Sequence, residues 1–274
     1  IQADCPRGVT FNQIPGISLP PIPRQSFPVQ ATTDDTDWDL VISRVLTCDD
    51  PVAITLLVRR FNALAEFALR RRNWDLLLQH SSRLCQLRNE PIDHWQRMLS
   101  AERLNNIDAL HEAIECAKTA DPDHINAALG EAIVAVQTKS EDAKSRLSEI
   151  DLDRIPWPTA AGCYGRLCMQ SGMTAEGMTA LNRAVMSENT IAIDRLILAQ
   201  AMIKDGNPEA ALQVMGTKGT PQDPLAWGIA RLKAMHAMNH PNTSEWADSI
   251  RQAHPSSGPT IDSVMKASPR ESHD

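Results

Sequence analysis

The side chains best equipped for chemistry are eight histidines and six cysteines spread over 274 positions, and their spacing decides what they can do. His236 and His240 stand four apart, which on a helix brings two imidazoles toward one metal ion. No glutamate follows the first of them as a zinc protease requires, and no third ligand is near in sequence, so the pair is read as ordinary helix and no metal is expected. Cys163 and Cys168 are five apart, which fits neither a C-x-x-C redox pair nor a zinc knuckle. Together with Cys85 and Cys116 they fall inside helical patterns and are read as buried small hydrophobes. Cys5 and Cys48 differ, one lying in a proline-rich stretch and the other in the turn-like CDDP. A disulfide between them would clasp an N-terminal arm to the first helix and place the protein in an oxidising compartment. The chain has no G-x-S-x-G, no phosphate-binding loop, no dinucleotide fingerprint and no H-E-x-x-H. The expectation is a protein that is not an enzyme and carries no cofactor.

Charge narrows the partners. The segment RRFNALAEFALRRRNW, from Arg59 to Trp74, joins arginines to aromatics in a way that nucleic-acid binders also do. Its arginines are spread around the helix, Glu66 and Asp75 interrupt the field, and the whole chain carries a net charge of -7. Phosphate binding is driven by clustered cations, so a protein or peptide partner is expected and nucleic acid is not. No stretch reaches the roughly 20 apolar residues that span a bilayer, so direct membrane insertion is not expected of these residues. The chain opens at Ile1 on IQADCPRG, as a processed product or a fragment of something longer would. With the Cys5 and Cys48 pair, this favours a periplasmic or other extracytoplasmic setting, although the compartment stays open.

These side chains must be positioned by helices. One Tyr and four Phe are few for an all-β domain of this length, and Ala, Leu, Arg and Glu fill the middle of the chain. Residues 1–35 carry Pro6, Pro15, Pro20, Pro21, Pro23 and Pro28, a density that denies helix and predicts an extended arm. Ile14, Ile17, Leu19, Ile22 and Phe27 make that arm sticky, and residues 11–30 are expected to screen a binding groove. A leading helix over 36–50 comes next, with acidic residues at its front. From 51 to 254 helix succeeds helix, with polar interruptions at Asn73, Asn106, Ser140, Thr174, Asn207 and Thr243 that read as helix ends or N-caps. Their spacings are 33, 34, 34, 33 and 36. A period near 34 is the mark of stacked helical hairpins. Residues 255–274, rich in Ser, Pro and charge, read as a flexible tail.

Small residues sit at recurrent places in these units. YGRLCMQSGMTAEGMTALNRAV places Gly165, Gly172, Gly177 and Ala184 in one register, and LAQAMIKDGNPEAALQVM repeats it with Ala199, Gly206 and Ala211, with Pro208 preset for a first helical turn. LAEFALRRRNWDLLLQHSSRLCQL supplies Leu64, Ala65 and Trp74, and AKTADP closes a unit with Ala117 and Pro122. On these residues the chain resembles the tetratricopeptide-repeat family. The resemblance covers about 200 residues. Met98, Asp142 and Glu149 depart from the pattern in the second and third units, and Trp246 stands at a small-residue position of a final, capping unit.

The resemblance implies an all-α, right-handed α-solenoid of about six helical hairpins, whose first helices line a concave groove. Projected onto this sequence, the groove positions are Arg59, Asn62, Glu66 and Arg70; then Trp95, Glu102 and Arg103; then Glu131, Arg166, Gln170 and Gln200; and finally Met235, Met238 and Asn239. Its arginines would pair with acidic groups of a partner segment. The family's clamp for chaperone tails is not matched, because Glu66 stands where the first unit would need Asn. The resemblance thus implies a scaffold or chaperone-like adaptor, within a membrane-associated or secretion assembly. The rival expectation is the sensory or regulatory domain of a membrane-bound or transcriptional regulator.

Overall fold

A computed structural model describes residues 36–122, 124–187, 190–216 and 223–267. Their regular structure is α-helix with two short 3-10 turns, and no strand occurs among the described residues. The chain divides into two compact units, Ile1–Asn126 and Ala127–Asp274. The first holds α1 (Trp38–Cys48), α2 (Pro51–Arg71), α3 (Trp74–Leu87), α4 (Pro91–Arg103) and α5 (Ile107–Ala120). Helix α6 (Ile125–Gln137) begins two residues before the division, and the second unit carries the rest of it with α7 (Ala143–Ser148), α8 (Pro158–Gln170), α9 (Thr174–Val185), α10 (Ala192–Lys204), α11 (Pro208–Met215), α12 (Pro224–Ala237), α13 (Thr243–Ala253) and α14 (Gly258–Lys266). Within the first unit α2, α3, α4 and α5 each pack on the next in sequence, and α8 to α13 do so within the second. Such neighbour-on-neighbour packing is compatible with a helical solenoid.

One turn is built again and again. A residue in the left-handed region ends a helix at Arg72, Asn105, Lys139, Gly172, Gly206 and Asn239, with φ between 52° and 77°. In each case the next residue's amide reaches back to the carbonyl five residues earlier: Asn73 to Ala68 and Asn106 to Ala101 at 2.9 Å, Ser140 to Ala135, Met173 to Cys168 and Asn207 to Met202 at 2.8 Å, and His240 to Met235 at 2.9 Å. This is the Schellman closure, which satisfies carbonyls that a helix end leaves orphaned. The following helix is then started by a side-chain cap at Asn73, Asn106 and Asn207, whose Oδ1 atoms accept from Leu76, Ala109 and Ala210. Helices begin at 74, 107, 143, 174, 208 and 243, at intervals of 33, 36, 31, 34 and 35 residues, against 33, 34, 34, 33 and 36 read from the sequence.

Close packing depends on the small residues. A methyl group added at Gly165 would lie 3.0 Å from the Gly177 carbonyl, and one at Gly177 would lie 3.1 Å from the Gly165 carbonyl. Nothing bulkier lets α8 and α9 approach so closely. In the first unit the core is larger and aromatic: Trp38, Ile42, Leu57, Phe61, Leu77 and Leu84 are buried together, with Trp38 edge-on to Phe61 at 5.3 Å. Burying Phe61 alone contributes about 2–3 kcal/mol.

The tail expected over 255–274 is corrected for its first half. Pro255–Ser257 forms a 3-10 turn and α14 comes directly after it, with Ile261 and Val264 buried against Leu232, Ala247 and Ile250. Pro255 and Pro259 sit in first turns, where proline is tolerated. The arm over 1–35, its expected groove contact and the Cys5 half of the expected disulfide lie outside the described residues. Cys48, at the end of α1, is exposed.

Candidate partner-binding cavity

The groove residues expected in the first unit do different things. Arg59 is exposed on α2. Glu66 pairs with Arg70 one turn on, at 3.6 Å. Asn62 accepts from Arg88 on the α3–α4 connection at 3.3 Å. Arg103 lies over the Trp74 ring at 5.5 Å, and Glu102 is half-buried beside it in sequence. Arg60 and Arg71 likewise lie over Trp38 and Phe67, so much of the arginine-rich stretch is spent on aromatic faces of its own unit.

Trp95 is a correction, for it is fully buried. Helix α4 has no open face: Asp93, His94, Gln96 and Arg97 are buried along with Trp95, Met98 and Leu99. Such a helix needs every charge partnered. Arg88 grips Asp93 through two bonds of 2.8 and 2.7 Å, and Arg97 reaches Glu112 at 2.7 Å and the Cys116 sulfur at 3.4 Å. His94 stands between Cys85 and Asn89, with Nδ1 3.7 Å from Sγ and Nε2 2.8 Å from Oδ1.

A thiol, an imidazole and an amide in that order could make a nucleophile, but the electrostatics oppose it. Burial, reinforced by the Asp93 charge, pushes the Cys85 thiol up to about 12, and burial lowers His94. Neither the thiolate nor the imidazolium of a reactive pair is favoured at neutral pH. With the proton on Nε2, His94 staples the turn at Asn89 to α3.

In the second unit Arg166 is also a correction. It is buried on α8 and forms an ion pair with buried Asp194 at the start of α10. Gly162, one turn before Arg166, makes the room, since a side chain there would collide with the Asp194 carboxylate. Met235 is a third correction: it is buried, and its carbonyl accepts the His240 amide that closes the turn. Asn239 is the left-handed residue of that turn, Met238 is exposed at the C-cap of α12, Gln170 is exposed at the end of α8, and Glu131 pairs with Arg146 at 2.9 Å.

Gln200 lines a cavity of about 880 Å³ walled by α10, α12 and α14. Its lining is apolar at Ile203, Ile229 and Val264, and Lys204, Lys233 and His236 also line it. No Asp or Glu is among the described residues that line it. His236 Nε2 lies 2.8 Å from the Ala267 carbonyl, which ties α12 to the end of α14. Lys204, Lys233 and His236 were not among the projected groove residues. Counting back six residues from each left-handed position gives Glu66, Leu99, Ile133, Arg166, Gln200 and Lys233. In the last hairpin the projection fell two residues late, on Met235, and passed over Lys233.

No group of three metal-ligating side chains occurs among the described residues, and none of their helices is long and apolar enough to cross a membrane. No protein-family model, curated protein or solved structure matches the chain.

Proposed function

We propose that this chain is a protein-interaction scaffold or chaperone-like adaptor, built of about six tetratricopeptide-like hairpins wound right-handed, that holds a partner's segment against their first helices. The cavity of the second unit carries this reading. It is walled by α10 and α12, the first helices of consecutive hairpins, and closed on the third side by α14. A concave, largely apolar site with a few convergent polar groups is the usual form of a binding site. Several charged groups on the other first helices are paired internally, as Glu66 with Arg70 and Arg166 with Asp194, and the reading rests on architecture joined to this recess.

The test is site-specific crosslinking in cells that express the protein natively. A photoreactive residue at Gln200, which opens to the cavity, should yield a discrete protein adduct. The same residue at Gln252, exposed on α13, should not. Equal adducts from both positions, or none from Gln200, would overturn the reading.

A further inference from the structure

Resting on that reading, we propose that the face of α12 and α13 covered by α14 is a docking groove for an amphipathic helix of a partner protein, which takes the place of α14. The chemistry of the occupant is written in α14 itself. Ile261, Val264 and Met265, at i, i+3 and i+4, pack with Leu232, Ala247 and Ile250, and Asp262 accepts a bond of 2.6 Å from Arg251 of α13. Anchors of this spacing are how an apolar groove reads a helix. The partner helix therefore carries aliphatic side chains at i, i+3 and i+4 and an acid at i+1. Two observations make α14 replaceable. The first is how little holds it. It has 9 residues and no side-chain cap at its front, short of the roughly 12–15 at which a helix is even marginal alone in water, so its order depends on α12 and α13. Ile261 and Val264 are its buried residues. The side chains of the Arg251 and Asp262 pair are 38% and 52% exposed, where ion pairs hold weakly. The second is that α14 covers the groove only in part. Helix α12 has 14 residues, and Leu225, Ile229 and Trp246 remain half-buried with α14 in place. A longer helix would cover more of that apolar surface and so gain over α14. Since α14 is also the third wall of the cavity, its departure would open the recess to the same partner.

The experiment adds a fluorescein-labelled peptide of residues 255–267 to the full chain and reads its anisotropy. On the wild type the resident α14 competes at high effective concentration. On Ile261→Asp, which unseats α14, the peptide should bind at least tenfold more tightly. Asp262→Ala, at an exposed position, loosens α14 without touching the core and should give a gain of about threefold, which keeps the test valid if Ile261→Asp does not fold. On the Ile261→Asp chain, Arg251→Ala and a peptide with Asp262→Asn should each weaken binding, and the two together should weaken it no more than either alone. In cells that express the protein natively, a photoreactive residue at Leu225 should give an adduct, stronger from the Ile261→Asp chain, whose linked peptide carries the i, i+3, i+4 pattern. Equal peptide affinity on the wild type and both variants, or a wild-type dimer that exchanges α14 between copies, would overturn the inference. So would an adduct at Gln200 with none at Leu225, which leaves the scaffold reading standing. No adduct at either position would overturn both.

Discussion

His80 lies flat against Phe61 with ring centres 5.9 Å apart, and its Nδ1 is buried without a hydrogen-bond partner. Protonating it would place a cation away from water, with Arg83 and Arg60 facing it, and these effects lower its pKa from 6.5 to about 4, burial first. Between those two values the unfolded chain binds the proton and the folded chain refuses it. Stability that is complete above pH 6.5 is therefore lost as pH falls toward 4, by up to about 3 kcal/mol from this residue. Urea unfolding of wild type and His80→Leu across that window checks the sign: the variant should show a shallower loss. Equal slopes would mean that carboxylates elsewhere account for the acid sensitivity. Arg166 is the opposite solution to the same cost, a buried cation kept charged by Asp194 across the α8–α10 boundary, in the space that Gly162 leaves.

At the scale of the helix, the turn that recurs from Arg72 to Asn239 separates conformational cost from packing. Gly172 adopts φ 77° and an added methyl there would meet nothing within 4 Å. Gly172→Ala should therefore cost about 1–2 kcal/mol through backbone strain alone. Lys139 occupies the equivalent place at φ 55°, and Lys139→Gly should be neutral or stabilising by up to about 1 kcal/mol. Thermal unfolding of the two variants should move in opposite directions, and movement of both in the same direction would contradict it. This turn is also why the period was legible. Asn73, Asn106 and Asn207 cap helices, and Gly172 and Gly206 take left-handed φ, so local chemistry marks the boundaries whatever the tertiary context. Helix α14 was not legible, because SSGPTIDSVMK has the composition of a tail. Only the i, i+3, i+4 spacing of Ile261, Val264 and Met265 betrays its buried face, and Ile261 matters because Leu232, Ala247 and Ile250 are there to cover it. The groove projection failed where burial depends on neighbours: Trp95 because α4 is enclosed, Arg166 because Asp194 lies 28 residues away, and Met235 because the register of α12 is fixed by a turn that its own side chain does not signal.

At the scale of the whole molecule, buried residues gather into sequence-local clusters. One joins Trp38, Phe61 and Leu84; another joins Leu196, Ala211 and Ala230; a third joins Leu232, Ile250 and Ile261. Clusters shared among helices near in sequence give stability that sums over local interfaces, and such parts open with their own free energies. Phe61 is fully buried at the centre of the first cluster, and Phe61→Ala should cost about 3–5 kcal/mol there. Hydrogen exchange read by mass spectrometry should then show protection lost in peptides from α1, α2 and α3, while peptides from α10, α12 and α14 exchange as in the wild type. A uniform loss of protection along the chain would instead mean that one cooperative core spans it, and the local-interface account of its stability would fail.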